Sequence, residues 1–252
     1  MLGKAAKHLS ERGHKVGLIT NDQASELVDT RFLFASNTTA EVSGSCFCCN
    51  FHGFTDAICQ LREQGAQAIV AEPVGSCTDL SATIMQPLKE RLGEIMAAET
   101  AGTHMLTDID YDTYAEGEAV LGWLNATVSL EAANRDWTDF LSELLGALSR
   151  RFDSEGRAVG HVKALIAESG NFVVGNFTGK HHTLKIRGES NRSQKVTLTL
   201  NARVGMPPEE LEAAVREELA KLTGKDVKAE ITVLKCLSPG RPNPTYRYDH
   251  IV

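Results

Sequence analysis

Cys46, Cys48 and Cys49 fall within four residues, in the stretch Ser43-Gly44-Ser45-Cys46-Phe47-Cys48-Cys49, and are half of the chain's six cysteines. Three thiols this close point in different directions in any one backbone conformation, so they cannot all be core filling. A turn folded around a soft ion makes them converge, supplying up to three thiolates. The fourth position is then left to a distant residue, water or a client. The same cluster also suits a redox pair or incidental thiols. Two carboxylates follow apolar runs: Asp22 after Lys15–Thr20, and Glu72 after Gln67–Ala71. Groups just past the carboxyl ends of strands are where open α/β sheets bind ligands. Each carboxylate, and Asp79 further on, equally suits a helix-capping or surface role. Beside a thiolate turn, two acidic strand ends make a credible cation site, with Asp22, Glu72, a histidine or water as the candidate fourth ligand.

Other reactive side chains read more plainly. His104 and the pair His181-His182 lie in polar segments and read as solvated. Asp108-Ile109-Asp110-Tyr111-Asp112 reads as a solvated lead-in to a strand, and Cys236 as a small core residue. No Ser-His-Asp or Cys-His arrangement stands out. A net charge of -7 argues against nonspecific binding to nucleic acid or anionic membrane. No apolar run approaches the ~20 residues of a membrane-spanning helix, and no signal-peptide pattern opens the chain. These features point to the cytoplasm, where thiols stay reduced and clustered cysteines mean metal or redox chemistry.

The elements that must position the turn follow from periodicity. Leu2, Ala5, Ala6 and Leu9 recur at helical spacing up to Arg12, with Gly13 as the stop. Lys15–Thr20 reads as a buried strand, Glu26 to Arg31 as a polar segment, Phe54–Gln64 as a helix and Gln67–Glu72 as a second strand. A helix ending near Leu92 closes the series. This alternation predicts a parallel sheet with right-handed crossovers. In the second half, Ala119–Leu130 reads as a strand and Trp137–Arg150 as an amphipathic helix. Val159–Ala167 and Asn171–Thr178 form a hairpin, Lys195–Val204 a strand, Pro207–Leu222 a helix and Ala229–Leu237 a last strand. Their order predicts a ferredoxin-like α+β sandwich. The expected organisation is a parallel-sheet part over 1–96, a linker over 97–107 and the ferredoxin-like domain over 108–252. Pro239 to Val252 reads as an extended arm that docks on a partner.

Asn21-Asp22 after a strand, the Ser-Cys-Phe-Cys-Cys turn, and Ala71-Glu72-Pro73-Val74-Gly75 after a second strand resemble the CobW family of P-loop GTPases, related to the HypB and UreG type and linked to cobalt or zinc delivery. That family's turn reads Gly-Cys-x-Cys-Cys, so Cys46, Cys48 and Cys49 match its thiols while Ser45 replaces its glycine. Asp22 falls where the family has Glu after Asn. Glu72 falls on the Glu of its Glu-Thr-Ser-Gly, of which only Gly75 is also retained, and Asp79 lies one place later than its aspartate. The resemblance implies metal ligation by Cys46, Cys48 and Cys49, with Zn²⁺ or Co²⁺ as the ion. It also implies nucleotide-side roles for Asp22, Glu72 and Gly75, with GTP and Mg²⁺ as cofactors of intact relatives.

The chain departs from the family where phosphate chemistry is done. It has no Gly-x-x-x-x-Gly-Lys-Ser/Thr loop to cradle phosphates and no Asn-Lys-x-Asp segment to read guanine. The opening helix corresponds to the one after the P-loop, and only Lys89 to Thr107 stands where later GTPase strands belong. Residues 1–92 are then expected to form a two-stranded parallel remnant with Gln67–Glu72 as an open apolar edge that invites a second chain. The expected function is metal binding of the metallochaperone or metal-homeostasis type, without GTP hydrolysis by the chain as written. Expected partners are a client metalloprotein or cofactor-biosynthesis enzyme, and a homo-oligomer. The alternatives are a GTP-hydrolysing metallochaperone whose P-loop lies upstream of Met1, and a non-enzymatic interaction module.

Overall fold

The structure, a computed structural model, describes residues 2–34, 38–75, 77, 79–92, 110–168, 171–179, 184–190, 192–224 and 226–248. The chain divides into two units, one of residues 1–25, 36–116 and 240–252, the other of 26–35 and 117–239. His104, Asp108, Ile109, His181, His182 and the span 97–107 lie outside the described residues.

The first unit is built on a parallel sheet of β1 (Val16–Asn21), β2 (Thr38–Val42) and β3 (Ala68–Glu72), in the order β2-β1-β3. All of β1 is buried, as expected of a central strand whose residues are apolar on both faces. Leu18 sits opposite Thr39 on one side and Val70 on the other. Helix α1 (Leu2–Glu11) buries Leu2 and Ala6. The next helix of this unit, α3 (Phe51–Glu63), buries Phe51, Phe54, Ala57 and Leu61 along one stripe. Its approach to β1 is close: a Cβ on Gly17 would stand 3.1 Å from both Ala66 and Leu61 side chains. The sheet therefore has three strands, not the two expected. The missed strand, Thr-Thr-Ala-Glu-Val, is five residues long with a charge inside it, too short for a clear alternation. Among the described residues β3 holds the edge position expected of the Gln67–Glu72 run, with its residues half-exposed up to Glu72.

The second unit holds a six-stranded sheet in the order β7-β6-β5-β8-β4-β9, every neighbouring pair antiparallel. Its strands are β4 (Gly122–Glu131), β5 (Val159–Glu168), β6 (Asn171–Phe177), β7 (Lys185–Glu189), β8 (Lys195–Val204) and β9 (Lys228–Leu237). Helices α6 (Trp137–Ser154) and α7 (Pro208–Leu222) pack on one face. There Leu124, Ala126, Val128 and Leu130 of β4 and Val196, Leu198, Leu200, Ala202 and Val204 of β8 alternate into a core with Trp137, Phe140, Leu141 and Leu144. The other face is polar yet buried at Asn125, Thr127, Thr199, Asn201 and Arg203. Helix α2 (Val28–Phe34) lies against it: Val28 N–H donates to Asn201 Oδ1 at 2.7 Å and Lys163 pairs with Asp29 at 2.6 Å. The segment from Glu26 to Arg31, read from sequence only as polar, is partly helical, because these side chains hold it to a polar sheet face that periodicity does not reveal.

One further expectation is corrected. The acidic run does not lead into a strand. Asp110 caps helix α5 (Tyr111–Ala119), with Oδ1 accepting from the N–H groups of Asp112 and Thr113. Strand β7, which was not foreseen, pairs among the described residues with β6 and is mostly exposed, so its sequence carries little apolar signal. The helix predicted to end near Leu92 begins as a π turn at Ser81–Met85 and continues as α4 (Gln86–Leu92). Among the described residues no helix is long and apolar enough to cross a membrane.

Candidate metal centre

Asn21, the last residue of β1, fixes the cysteine turn. Its side-chain nitrogen donates to the carbonyls of Val42 at 2.9 Å and Ser45 at 2.8 Å. Its side-chain oxygen accepts from Phe47 N–H at 3.0 Å and Val74 N–H at 3.4 Å. One buried amide thus ties the ends of β1 and β2, the turn, and the loop leaving β3. Gly44, at φ +92°, supplies the left-handed residue that begins the turn. Phe47 is buried and stacks on Phe54 of α3, ring centres 4.3 Å apart. Cys49 and Asn50 N–H groups both donate to the Cys46 carbonyl. Asn50 Oδ1 in turn accepts from Gly53 N–H and caps α3. With Phe47 anchored inward, the three cysteines are left to face one another.

Their sulfurs lie within 4.8 Å of each other, with Cys46–Cys48 at 3.0 Å and Cys48–Cys49 at 3.9 Å. All are free thiols; Cys46 and Cys48 are buried and Cys49 half-buried. Neither Asp22 nor Glu72 is in this group. Cys77, which the sequence did not single out as a ligand, stands outside this trio but brings its sulfur to 3.5 Å from Cys48 Sγ. The contacts with Cys48, Cys49 and Cys77 draw the Cys46 thiol far below the usual range. The contact with Cys46 pushes Cys48 and Cys49 upward, and Cys77 up to about 12. A divalent cation among these sulfurs would favour the ionised form of each.

Asp79 lies beside the sulfurs and is 5% exposed. Its Oδ2 accepts from Arg247 Nε at 2.8 Å and from the Tyr111 hydroxyl at 3.3 Å, while Oδ1 is buried with no hydrogen-bond partner. Desolvation, followed by the Asp79 charge, raises the Tyr111 hydroxyl to about 12. Cys46, Cys48, Cys77, Asp79, Thr83, Tyr111 and Pro242 enclose a cavity of about 20 Å³, room for one water-sized or ion-sized occupant.

Residues 243–248, part of the stretch read as an extended arm, cross the cysteine turn. Thr245 N–H donates to the Cys48 carbonyl at 2.7 Å and its hydroxyl to the Cys49 carbonyl at 3.1 Å. Asn243 N–H donates to Cys49 Sγ at 3.1 Å. Tyr246 meets Phe51 edge-on, and Tyr248 N–H donates to the Ala82 carbonyl. Asn21 and this tail were both missed as site components. A polar residue closing an apolar strand was the available signal for the first; nothing local signals the second.

Asp22, Glu72 and Gly75, which the resemblance put on the nucleotide side, lie at the carboxyl end of the sheet. Asp22 is buried after β1, its N–H donating to the Val42 carbonyl and its Oδ1 accepting from Gln23 N–H at 2.8 Å. Glu72 ends β3 exposed, and Gly75 is exposed with open space where a Cβ would stand.

No protein-family model matches the chain, and no curated protein does. Solved structures that resemble it include the crystal structure of a Zn(II)-bound triple mutant of YjiA GTPase, 13% identical, with a TM-score of 0.28 over 83% of this chain and 90% of that one. A likeness this slight assigns no function.

Proposed function

We propose that this chain binds one thiophilic transition-metal ion, Zn²⁺ or Co²⁺, through Cys46, Cys48 and Cys49, and serves in metal carriage or homeostasis. The observation that carries the reading is the convergence of three reduced sulfurs within 4.8 Å, on a turn fixed from several sides by Asn21. Thiolates favour such ions over harder ones. A redox pair would need only two of these sulfurs and would not explain the third. The chain contains no Gly-x-x-x-x-Gly-Lys-Ser/Thr segment, so metal binding rather than GTP hydrolysis is the activity proposed for it. Asp22, Glu72 and Gly75 remain our candidates for contacts to a nucleotide or its Mg²⁺.

The recipient in this reading is a client metalloprotein or cofactor-biosynthesis enzyme, approached through Cys49, the most accessible of the three thiols. A second copy pairing along the open edge of β3 would account for its half-exposed apolar residues, and the molar mass in solution tests that. We read the antiparallel unit as a ferredoxin-like sandwich with an added β6–β7 hairpin; its support is the order β5-β8-β4-β9 with both helices on one face.

The test is titration of the reduced protein with Zn²⁺ and Co²⁺ beside a Cys46/Cys48/Cys49→Ser variant. One tight equivalent, with thiolate-to-Co²⁺ charge-transfer absorption that the variant loses, is the expected result. Weak binding that the variant keeps would refute the reading.

A further inference from the structure

We propose that Cys77 is a ligand of the metal, closing the Cys-x-Cys-Cys turn into a four-sulfur site. This rests on the reading of Cys46, Cys48 and Cys49 as ligands and adds a residue 28 positions beyond the turn, on the loop that leaves β3. Cys48 is the hub. Its sulfur is 3.0 Å from Cys46, 3.5 Å from Cys77 and 3.9 Å from Cys49. Around a tetrahedral ion with bonds of ~2.3 Å, sulfurs stand ~3.8 Å apart, so these three separations need shifts of a few tenths of an ångström to about an ångström. Cys77 stands outside the trio whose sulfurs all lie within 4.8 Å of one another, so its loop must close further on the turn as the ion binds. The cavity of about 20 Å³ that Cys77 lines together with Cys46 and Cys48 lies where that closure would occur, with Cys49 reaching in from beyond its lining.

Asp79 is the competing ligand. It lines the same cavity, and its Oδ1 has no partner. Two considerations favour the sulfur. A soft ion prefers thiolate to carboxylate. The Asp79 carboxylate is also already committed through Oδ2 to Arg247 and Tyr111, which fixes its orientation. The loop itself is positioned to present Cys77: Asn21 Oδ1 accepts from Val74 N–H, and Cys77 N–H donates back to the Val74 carbonyl at 2.9 Å. The amide that orients the Cys-x-Cys-Cys turn therefore also orients the Cys77 loop, which brings two distant segments to one point.

Function changes with the ligand count. Three thiolates leave an open position that a client ligand can occupy directly. Four close the site, as in structural zinc centres, and transfer then requires one thiolate to leave first. Cys77, on an irregular loop rather than at the cap of a helix, is the thiolate placed to do so. Metal occupancy would in turn pin the loop that follows Glu72 and Gly75.

The test compares the Co²⁺ spectra and competition-measured Zn²⁺ affinities of the parent, Cys77→Ser, Asp79→Asn and, as a control, Cys59→Ser. In Cys77→Ser we expect about a quarter of the charge-transfer intensity to disappear, the ligand-field bands to move to higher energy, and Zn²⁺ affinity to fall at least ~10-fold. Cys59→Ser leaves all three unchanged. A Cys77→Ser spectrum and affinity equal to the parent's would overturn the inference while leaving the three-cysteine reading intact. So would a spectral change confined to Asp79→Asn. No tight binding by the parent defeats the underlying reading instead. Zinc X-ray absorption on the unaltered protein guards against a variant that fails to fold. Four sulfurs at ~2.3 Å support the proposal, and three sulfurs with a lighter atom at ~2.0 Å refute it.

Discussion

The six-stranded unit and the three-stranded unit hold their shapes by different means. In the former, one apolar cluster runs from Leu124 to Val227, with Trp137, Phe140, Leu141, Leu145, Leu148 and Phe152 fully buried along a single helix. That is packing of the ordinary kind, and it owes nothing to a ligand. In the latter, five aromatic and aliphatic side chains (Leu18, Ile19, Phe47, Phe51 and Leu61) carry much of the core. Beside them sit four sulfurs, a buried carboxylate with an orphan oxygen, and a strap of tail residues joined through backbone hydrogen bonds. A buried polar cluster of this kind is costly unless its charges are balanced. The contrast teaches where a ligand is needed: the unit with the poorer apolar core is the one whose polar centre a cation would complete.

The largest effect that can test the contrast lies in the apolar unit. Phe140→Ala removes a fully buried ring that meets Trp137 edge-on, ring centres 5.7 Å apart, and should cost about 3–5 kcal/mol. Hydrogen exchange should show the loss across β4, β5 and β8, and no concentration of Zn²⁺ should restore it. Restoration by zinc would mean that the two units are not held by different means after all.

The apolar unit was also the more legible one in sequence, for the same physical reason. Its strands alternate and its helices carry wide apolar stripes, so Trp137–Arg150 and Lys195–Val204 could be placed to within a few residues. What escaped was held by specific contacts: α2 through Asn201 and Lys163, β7 through a single edge pairing. In the three-stranded unit the Cys-x-Cys-Cys turn announced itself by composition. Cys77 did not, because a lone cysteine after a strand looks like any small residue until the fold brings it 3.5 Å from Cys48. Asn21 was visible as a polar strand end, but its four hydrogen bonds span residues 42 to 74 and exist only in three dimensions. The tail's seat on the cysteine turn was hidden likewise, since backbone hydrogen bonds leave no signature in side-chain pattern.

A smaller effect concerns pH. His161, on β5, is held neutral with its pKa lowered to about 3, first by burial and then by the cations Lys163 and Arg203, with Asp29 opposing. In the unfolded chain the ring titrates near ~6.5. Between those values the unfolded state binds a proton that the folded state does not. The contribution is therefore intact above pH ~6.5 and is lost as pH falls toward about 3. Because His161 keeps some solvent exposure, screening holds the loss to on the order of 1–2 kcal/mol. His161→Gln should flatten that part of the urea-midpoint profile. An unchanged acid slope would place the pH sensitivity of the apolar unit elsewhere.

The smallest effect tests the strap. Asn243 N–H donates to Cys49 Sγ, a contact that gains strength as the sulfur ionises on metal binding, so it belongs to the loaded state more than to the empty one. Asn243→Pro deletes this donor and nothing else on the cysteine side, whereas Asn243→Ala deletes the side chain and keeps the N–H. Outer hydrogen bonds to metal ligands are worth ~10-fold or more in affinity, so Zn²⁺ should bind about tenfold more weakly to the proline variant and equally well to the alanine one. Equal losses in both would reduce the strap to packing, with Tyr246 against Phe51 as its main contact. A loss in the proline variant alone ties the segment around Asn243 to the charge on the sulfurs, and makes the three-stranded unit's stability and its metal occupancy one linked quantity.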